Sequence, residues 1–150
     1  MAKEDIGILL NVAFGVFKRD LHRHLAAHGF PDVGPSFGYV FRLLASGPHN
    51  LQGVAAALGI TAQGALKIVA DMVEKGYVER RDDPDDGRVK WLVLTARAQA
   101  AMAEARRFHR QFERGLTARL GRDQVAALRT VLEDVYAGVQ ADGFEQIRPL

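Results

Sequence analysis

Four aspartates fall within five positions of "ERRDDPDDGRVKWLVL" (residues 79–94), between the pair Arg80 and Arg81 and a second basic cluster, Arg88 and Lys90. Paired carboxylates serve acid–base chemistry where burial drives their pKa values apart. The flanks argue against burial here. Residues 77–81 and 89–94 are β-branched, aromatic and alternating, while residues 82–87 are turn-forming Asp, Pro and Gly. The stretch predicts an exposed, long-tipped β-hairpin, and catalysis at its tip is not expected. A second cluster is His24 and His28, spaced i, i+4 with His22 nearby. Such a pair can share a helix face and hold a metal. With no carboxylate or cysteine at matching spacing it predicts histidines that cap a helix end or face solvent, so metal ligands: none. The chain has no nucleophile elbow, phosphate loop or histidine–carboxylate motif, so no enzyme and no cofactor is expected.

The elements that must position these residues belong to one domain. A chain of 150 residues, 48% hydrophobic and 25% charged, builds a single sizeable core. A net charge of only +2 means that affinity for a polyanion must come from local clustering of base. Zero cysteines exclude disulfides, thiolate zinc sites and cysteine redox sensing, and fit a reducing cytoplasm. "IGILLNVAFGVF" (residues 6–17) has the length of a signal-peptide core, but Glu4 and Asp5 stand where such a peptide is basic and no small-residue cleavage pattern follows. It is too short to span a membrane. A helix apolar on nearly all sides predicts packing against several neighbours, including another subunit.

Apolar positions at helical spacing from Ile6 to Leu25 predict one long helix over residues 3–28, capped by Gly29. "GFPDVGPS" breaks the chain, and Pro35 and Ser36 open a second helix to Ala45. Asn50 caps a short helix over 51–58, stopped by Gly59, and Thr61 caps another over 62–75, stopped by Gly76. Past the hairpin, Thr95 caps a long helix to Leu120 and a last helix covers about 124–140; the tail "ADGFEQIRPL" has no clear period.

The stretch "NLQGVAAALGITAQGALKIVADMVEKGY" (residues 50–77) meets the needs of a helix-turn-helix: small Ala55, a turn at Gly59, and Val54, Leu58, Ile60, Ala65 and Ile68 to lock the pair. The same residues suit any helical hairpin. A basic β-hairpin directly afterwards turns the balance towards a winged helix, with one helix for the major groove and a wing for the adjoining backbone or minor groove. Residues 50–97 resemble the winged-helix core of the MarR (multiple antibiotic resistance regulator) family in "LGIT", "MVEKGYVERRDDPDDGR" and "LVLT", and most specifically in the wing pattern D-P-x-D-x-R at Asp83, Pro84, Asp86 and Arg88.

The resemblance implies a mainly α fold with a small β-hairpin: a winged helix-turn-helix over about residues 36–94, and dimerisation helices over about 3–28 and 95–141. It implies a homodimeric bacterial transcription regulator that binds double-stranded DNA at a pseudo-palindromic operator and responds to a small, often aromatic, effector. In the family the aspartate matching Asp86 holds the arginine matching Arg88 for the minor groove. The expected DNA-binding residues are Thr61, Gln63, Gly64, Lys67, Arg80, Arg81, Arg88 and Lys90. Phe14, Phe17, Phe37 and Phe41 are the expected effector-binding set, though aromatic residues there serve equally as core.

The recognition helix departs from the family in being apolar, with Ala62, Gly64 and Leu66 on the face where polar and basic residues are usual. Leu66 suits either a thymine methyl or the core. Ala98 stands where the family commonly places glycine. The alternative function is therefore a winged-helix dimer that binds protein in place of specific DNA.

Overall fold

The computed structural model describes residues 3–141. Eight elements follow in order: α1 (Ile6–Ala27), α2 (Phe37–Ala45), α3 (Leu51–Leu58), α4 (Ala62–Glu74), β1 (Val78–Asp82), β2 (Lys90–Leu94), α5 (Ala96–Leu120) and α6 (Arg122–Ala141). The sequence "ADGFEQIRPL" lies almost wholly outside the described residues. All expected elements are present, with shifted edges. The strands sit one residue further along at β1 and begin one later at β2, and α6 starts two residues early, at Arg122.

The caps explain the best-placed boundaries. The Asn50 side chain accepts the Gly53 N–H at 2.8 Å and Thr61 Oγ1 accepts that of Gly64 at 3.0 Å. Each satisfies one of the donors orphaned in a first helical turn. At the far ends Gly59 (φ 62°) and Gly76 (φ 78°) take the left-handed conformation that a side chain resists. Gly76 N–H then reaches Val73 O, and Tyr77 N–H reaches Met72 O at 2.8 Å, closing α4. That closure is why Tyr77 is not a strand residue: it finishes the helix and turns its ring inward.

The core lies under the winged helix. Phe37, Val40, Phe41 and Leu44 of α2, Val54, Ala55 and Leu58 of α3, and Ala65, Val69 and Met72 of α4 meet Tyr77, Val78, Leu92, Ala98 and Ala101. Each set repeats at three- or four-residue spacing, the period of one helix face. α4 turns 113° away from α3, in the range of a helix-turn-helix. β1 and β2 pair antiparallel, Val78 opposite Leu94 and Asp82 opposite Lys90, and the Leu92 N–H donates to His49 O just before α3.

α1 packs along α5, where Phe17 meets the rings of Phe108 and Phe112 at 5.5 and 5.0 Å. The rest of α1 and the outer face of α6 remain open: Ile6, Leu9, Leu10, Val12 and Phe14 on the first, and Val131, Leu132 and Val135 on the second, are exposed. No single described helix is long and apolar enough to cross a membrane.

Candidate nucleic-acid interface

Burial of Ala65, Val69 and Met72 turns the opposite face of α4 outward, so Ala62, Gln63, Leu66 and Lys67 are exposed together. Leu66 is 46% exposed, which removes the core as its home. Gly64 is tied to the cap beside it: a Cβ there would lie 3.2 Å from Thr61 Oγ1, the atom that accepts the Gly64 N–H. A helical glycine costs about 1 kcal/mol against alanine, and here it leaves the capping hydroxyl room.

The wing tip is ordered by its own acids. Asp83 Oδ1 accepts the N–H groups of Asp85 and Asp86 at 2.8 and 3.0 Å, and its Oδ2 accepts Trp91 Nε1–H at 2.7 Å. The Trp91 bond first, then the two backbone bonds, hold the Asp83 carboxyl below the usual carboxylate range. Asp86 Oδ1 accepts the backbone N–H of Arg88 at 3.0 Å and its Nε–H at 3.2 Å, and the backbone bond followed by the side-chain bond lowers its carboxyl too. Arg88 itself reaches outward, 92% exposed beyond that tether. Lys90 pairs with Asp82 across the hairpin and Arg81 with Glu79 along β1. Among the described residues Arg80 and Lys67 have no such acid, so they offer the least encumbered charge to a phosphate.

Thus the residues expected to meet DNA fall on two neighbouring surfaces, the start of α4 and the hairpin, joined by the buried Tyr77–Val78 link. The aromatic set does not come together. Phe37 and Phe41 are buried against Tyr77, with ring centroids 5.8 and 5.7 Å from it, and belong to the core. Phe14 is exposed under the Lys18 ammonium, and Phe17 turns to α5. The physical reason is the helical period of α2, which sends Phe37 and Phe41 to its inner face. Of the four, only Phe17 lines the groove of about 370 Å³ that runs along α5 and α6, with Phe112, Leu116, Leu128, Leu132 and Tyr136. His109 borders it, its imidazole pushed below the ordinary value by burial and then by the Arg42 charge.

Two groupings escape sequence reasoning because their members are far apart in the chain. Asp32 accepts hydrogen bonds from the Tyr77 hydroxyl and, at 2.9 Å, from Arg97. Arg97 also donates to Lys75 O at 3.2 Å and lies over the Tyr77 ring at 4.7 Å. Burial pushes the Asp32 carboxyl up, but the Tyr77 and Arg97 contacts outweigh it and hold it below the ordinary value. Tyr77 is pushed up to about 12 by burial and by the Asp32 carboxylate. The other grouping sets His24 Nε2 3.0 Å from Glu104 of α5.

Residues 31–89 match the MarR family. The fold is similar to that of MarR from E. coli in its reduced form, at 22% identity and a TM-score of 0.71 over 90% of this chain and 98% of that one. It is similar to a transcriptional repressor, CouR, solved bound to a 23-mer DNA duplex, at 27% identity and a TM-score of 0.65 over 88% and 92%. A probable transcriptional regulator from Pseudomonas aeruginosa aligns at 23% identity and a TM-score of 0.63 over 88% and 97%. No curated protein matches the chain in sequence.

Proposed function

From the premise that residues 31–89 are a segment of the MarR family, within a chain that has the fold of MarR-type transcription regulators, we propose that the protein is a homodimeric, sequence-specific DNA-binding regulator. The observation that carries the reading is the wing: Arg88 is 92% exposed yet tethered to Asp86 at 3.2 Å. An arginine that projects from the surface without roaming is prepared for a narrow groove, since part of its rotamer entropy, roughly 2 kcal/mol in all, is spent before binding. The start of α4, with Gln63 and Lys67 exposed beside Thr61, enters the major groove in this reading, and Arg80 lies against the backbone. A repressor of similar fold, CouR, is solved bound to a DNA duplex, which supports DNA as the partner.

Two copies related by a two-fold axis would present two recognition helices about one DNA turn apart, roughly 10 base pairs, so the operator is pseudo-palindromic. Selection of bound sequences from a random DNA pool, followed by footprinting, tests this. The expected result is two protected half-sites at that spacing. A site protected on one half alone would overturn it.

The exposed Leu66 favours a second reading, a winged-helix dimer that docks protein through α4. Absence of any shifted DNA complex at low salt would support that reading over the first. For effector response the groove along α5 and α6 is the place to look, since it is apolar and bordered by His109. A small aromatic acid or amide bound there would change DNA affinity through α5.

A further inference from the structure

His24 stands in the last turn of α1 and His28 at its C-cap, four residues on. The fold brings Glu104, from the third turn of α5, to the same place: one donor atom from each of the three lies within 4.8 Å of the others. We propose that His24, His28 and Glu104 bind a divalent transition cation, with Zn²⁺ as the first candidate, and so brace α1 against α5. The proposal goes beyond the DNA-binding reading and does not depend on it.

Two features of the geometry point to a ligand set and not to a chance meeting of polar groups. His28 Nδ1 is 2.7 Å from the His24 carbonyl oxygen. That oxygen can only accept, so Nδ1 carries the proton and the lone pair is left on Nε2. This is the arrangement by which a backbone carbonyl orients a metal-binding imidazole. His24 Nε2 and Glu104 Oε2 are 3.0 Å apart, against about 3.3 Å for two ligands of a tetrahedral zinc with bonds near 2.0–2.1 Å. A shift of a few tenths of an ångström admits the ion in place of the proton they share, which passes to solvent or to His24 Nδ1.

The rings of His24 and His28 stack at 4.1 Å, and binding requires the exposed His28 ring to tilt out of that stack about its Nδ1–H bond to the His24 carbonyl, which stays made, so that Nε2 meets the ion. Phe108 walls the site 5.6 Å from His24. Arg107 lies 3.8 Å from the other oxygen of Glu104, outside the three donors. Three protein ligands leave a fourth position for water, and the nitrogen-rich set selects zinc, cobalt or nickel over calcium and magnesium.

The test is a zinc titration of the chelator-treated full chain in competition with a fluorescent zinc indicator, alongside Glu104→Gln, His28→Ala and His22→Ala. One Zn²⁺ per chain is expected, with affinity reduced at least tenfold in Glu104→Gln and in His28→Ala and unchanged in His22→Ala. Zinc should raise the melting temperature of the unsubstituted chain and not that of Glu104→Gln. Circular dichroism establishes that each variant is folded, and the conservative Glu104→Gln keeps the test valid should His28→Ala fail to fold. No saturable binding, unchanged affinity in a folded Glu104→Gln or His28→Ala, or an equal loss in His22→Ala would overturn the site.

Discussion

The acids of the wing divide by what each carboxylate holds. Asp83 gathers the tip and Trp91, Asp86 tethers Arg88, and Asp82 occupies Lys90. Substitution therefore separates effects that net charge alone would merge. Arg88→Ala is expected to weaken DNA binding strongly. Asp86→Ala should weaken it about fivefold, since freeing the guanidinium returns entropy that must be lost again on binding. Asp82→Ala should bind slightly more tightly and with a steeper salt dependence, because Lys90 is released to the phosphates. Titrations at two salt concentrations read all three, and tighter binding by Asp86→Ala would overturn the tethering role. At this scale the sequence was informative where spacing is short. The D-P-x-D-x-R pattern placed Asp86 and Arg88, but nothing nearby in the chain marks Trp91 as the partner of Asp83, eight residues away across a hairpin whose register only the fold decides.

At the scale of elements, the boundary between wing and helices rests on Tyr77, Asp32 and Arg97. Tyr77→Phe keeps the ring against Phe37 and Phe41 and removes the hydroxyl from Asp32. A cost of about 1–2 kcal/mol is expected, measured by urea unfolding at neutral pH. The pH dependence has a definite sign. Tyr77 titrates near 12 in the folded chain and near 10 when free. Its contribution is thus complete below pH 10 and is lost as pH rises through 12. The unsubstituted chain should lose stability across that window more steeply than Tyr77→Phe. Equal slopes would mean that the phenol does not ionise against the fold. Helix positions were legible in advance because Asn50, Thr61 and Thr95 cap and Gly59 and Gly76 terminate, all local events. The Asp32–Tyr77 and Asp32–Arg97 ties were not, being separations of 45 and 65 residues with no periodic signal. Of the expected effector-binding set, Phe37 and Phe41 lie in the core: aromatic content carries no sign of the face a ring will take, and for these two it was decided by the packing of α2.

For the molecule as a whole, the apolar faces of α1 and α6 call for a second copy. Ile6 at 75% and Val135 at 62% exposure are too costly to leave in water along two whole helices. Sedimentation at micromolar concentration should give twice the chain mass, and Val135→Asp should shift the population to monomer and weaken operator binding by loss of the second half-site. A stable, fully folded monomer of the unsubstituted chain would contradict this. The junction at Thr95 bears on what such a dimer can transmit. Thr95 caps α5 by accepting the Ala98 N–H, while its hydroxyl donates to Gly76 O and its N–H to Tyr77 O at the base of the hairpin. The hairpin is therefore not hung on a loose strap; it is welded to one end of a rod of 25 residues, about 37 Å long. Each strand of five residues projects about 16 Å from that weld. Tilting the rod by about five degrees then sweeps the tip through rather more than an ångström, a hydrogen bond's whole tolerance. A junction of this kind would carry a tilt of α5 to Arg88 through the hairpin itself, the wing tip moving less than the far end of the rod.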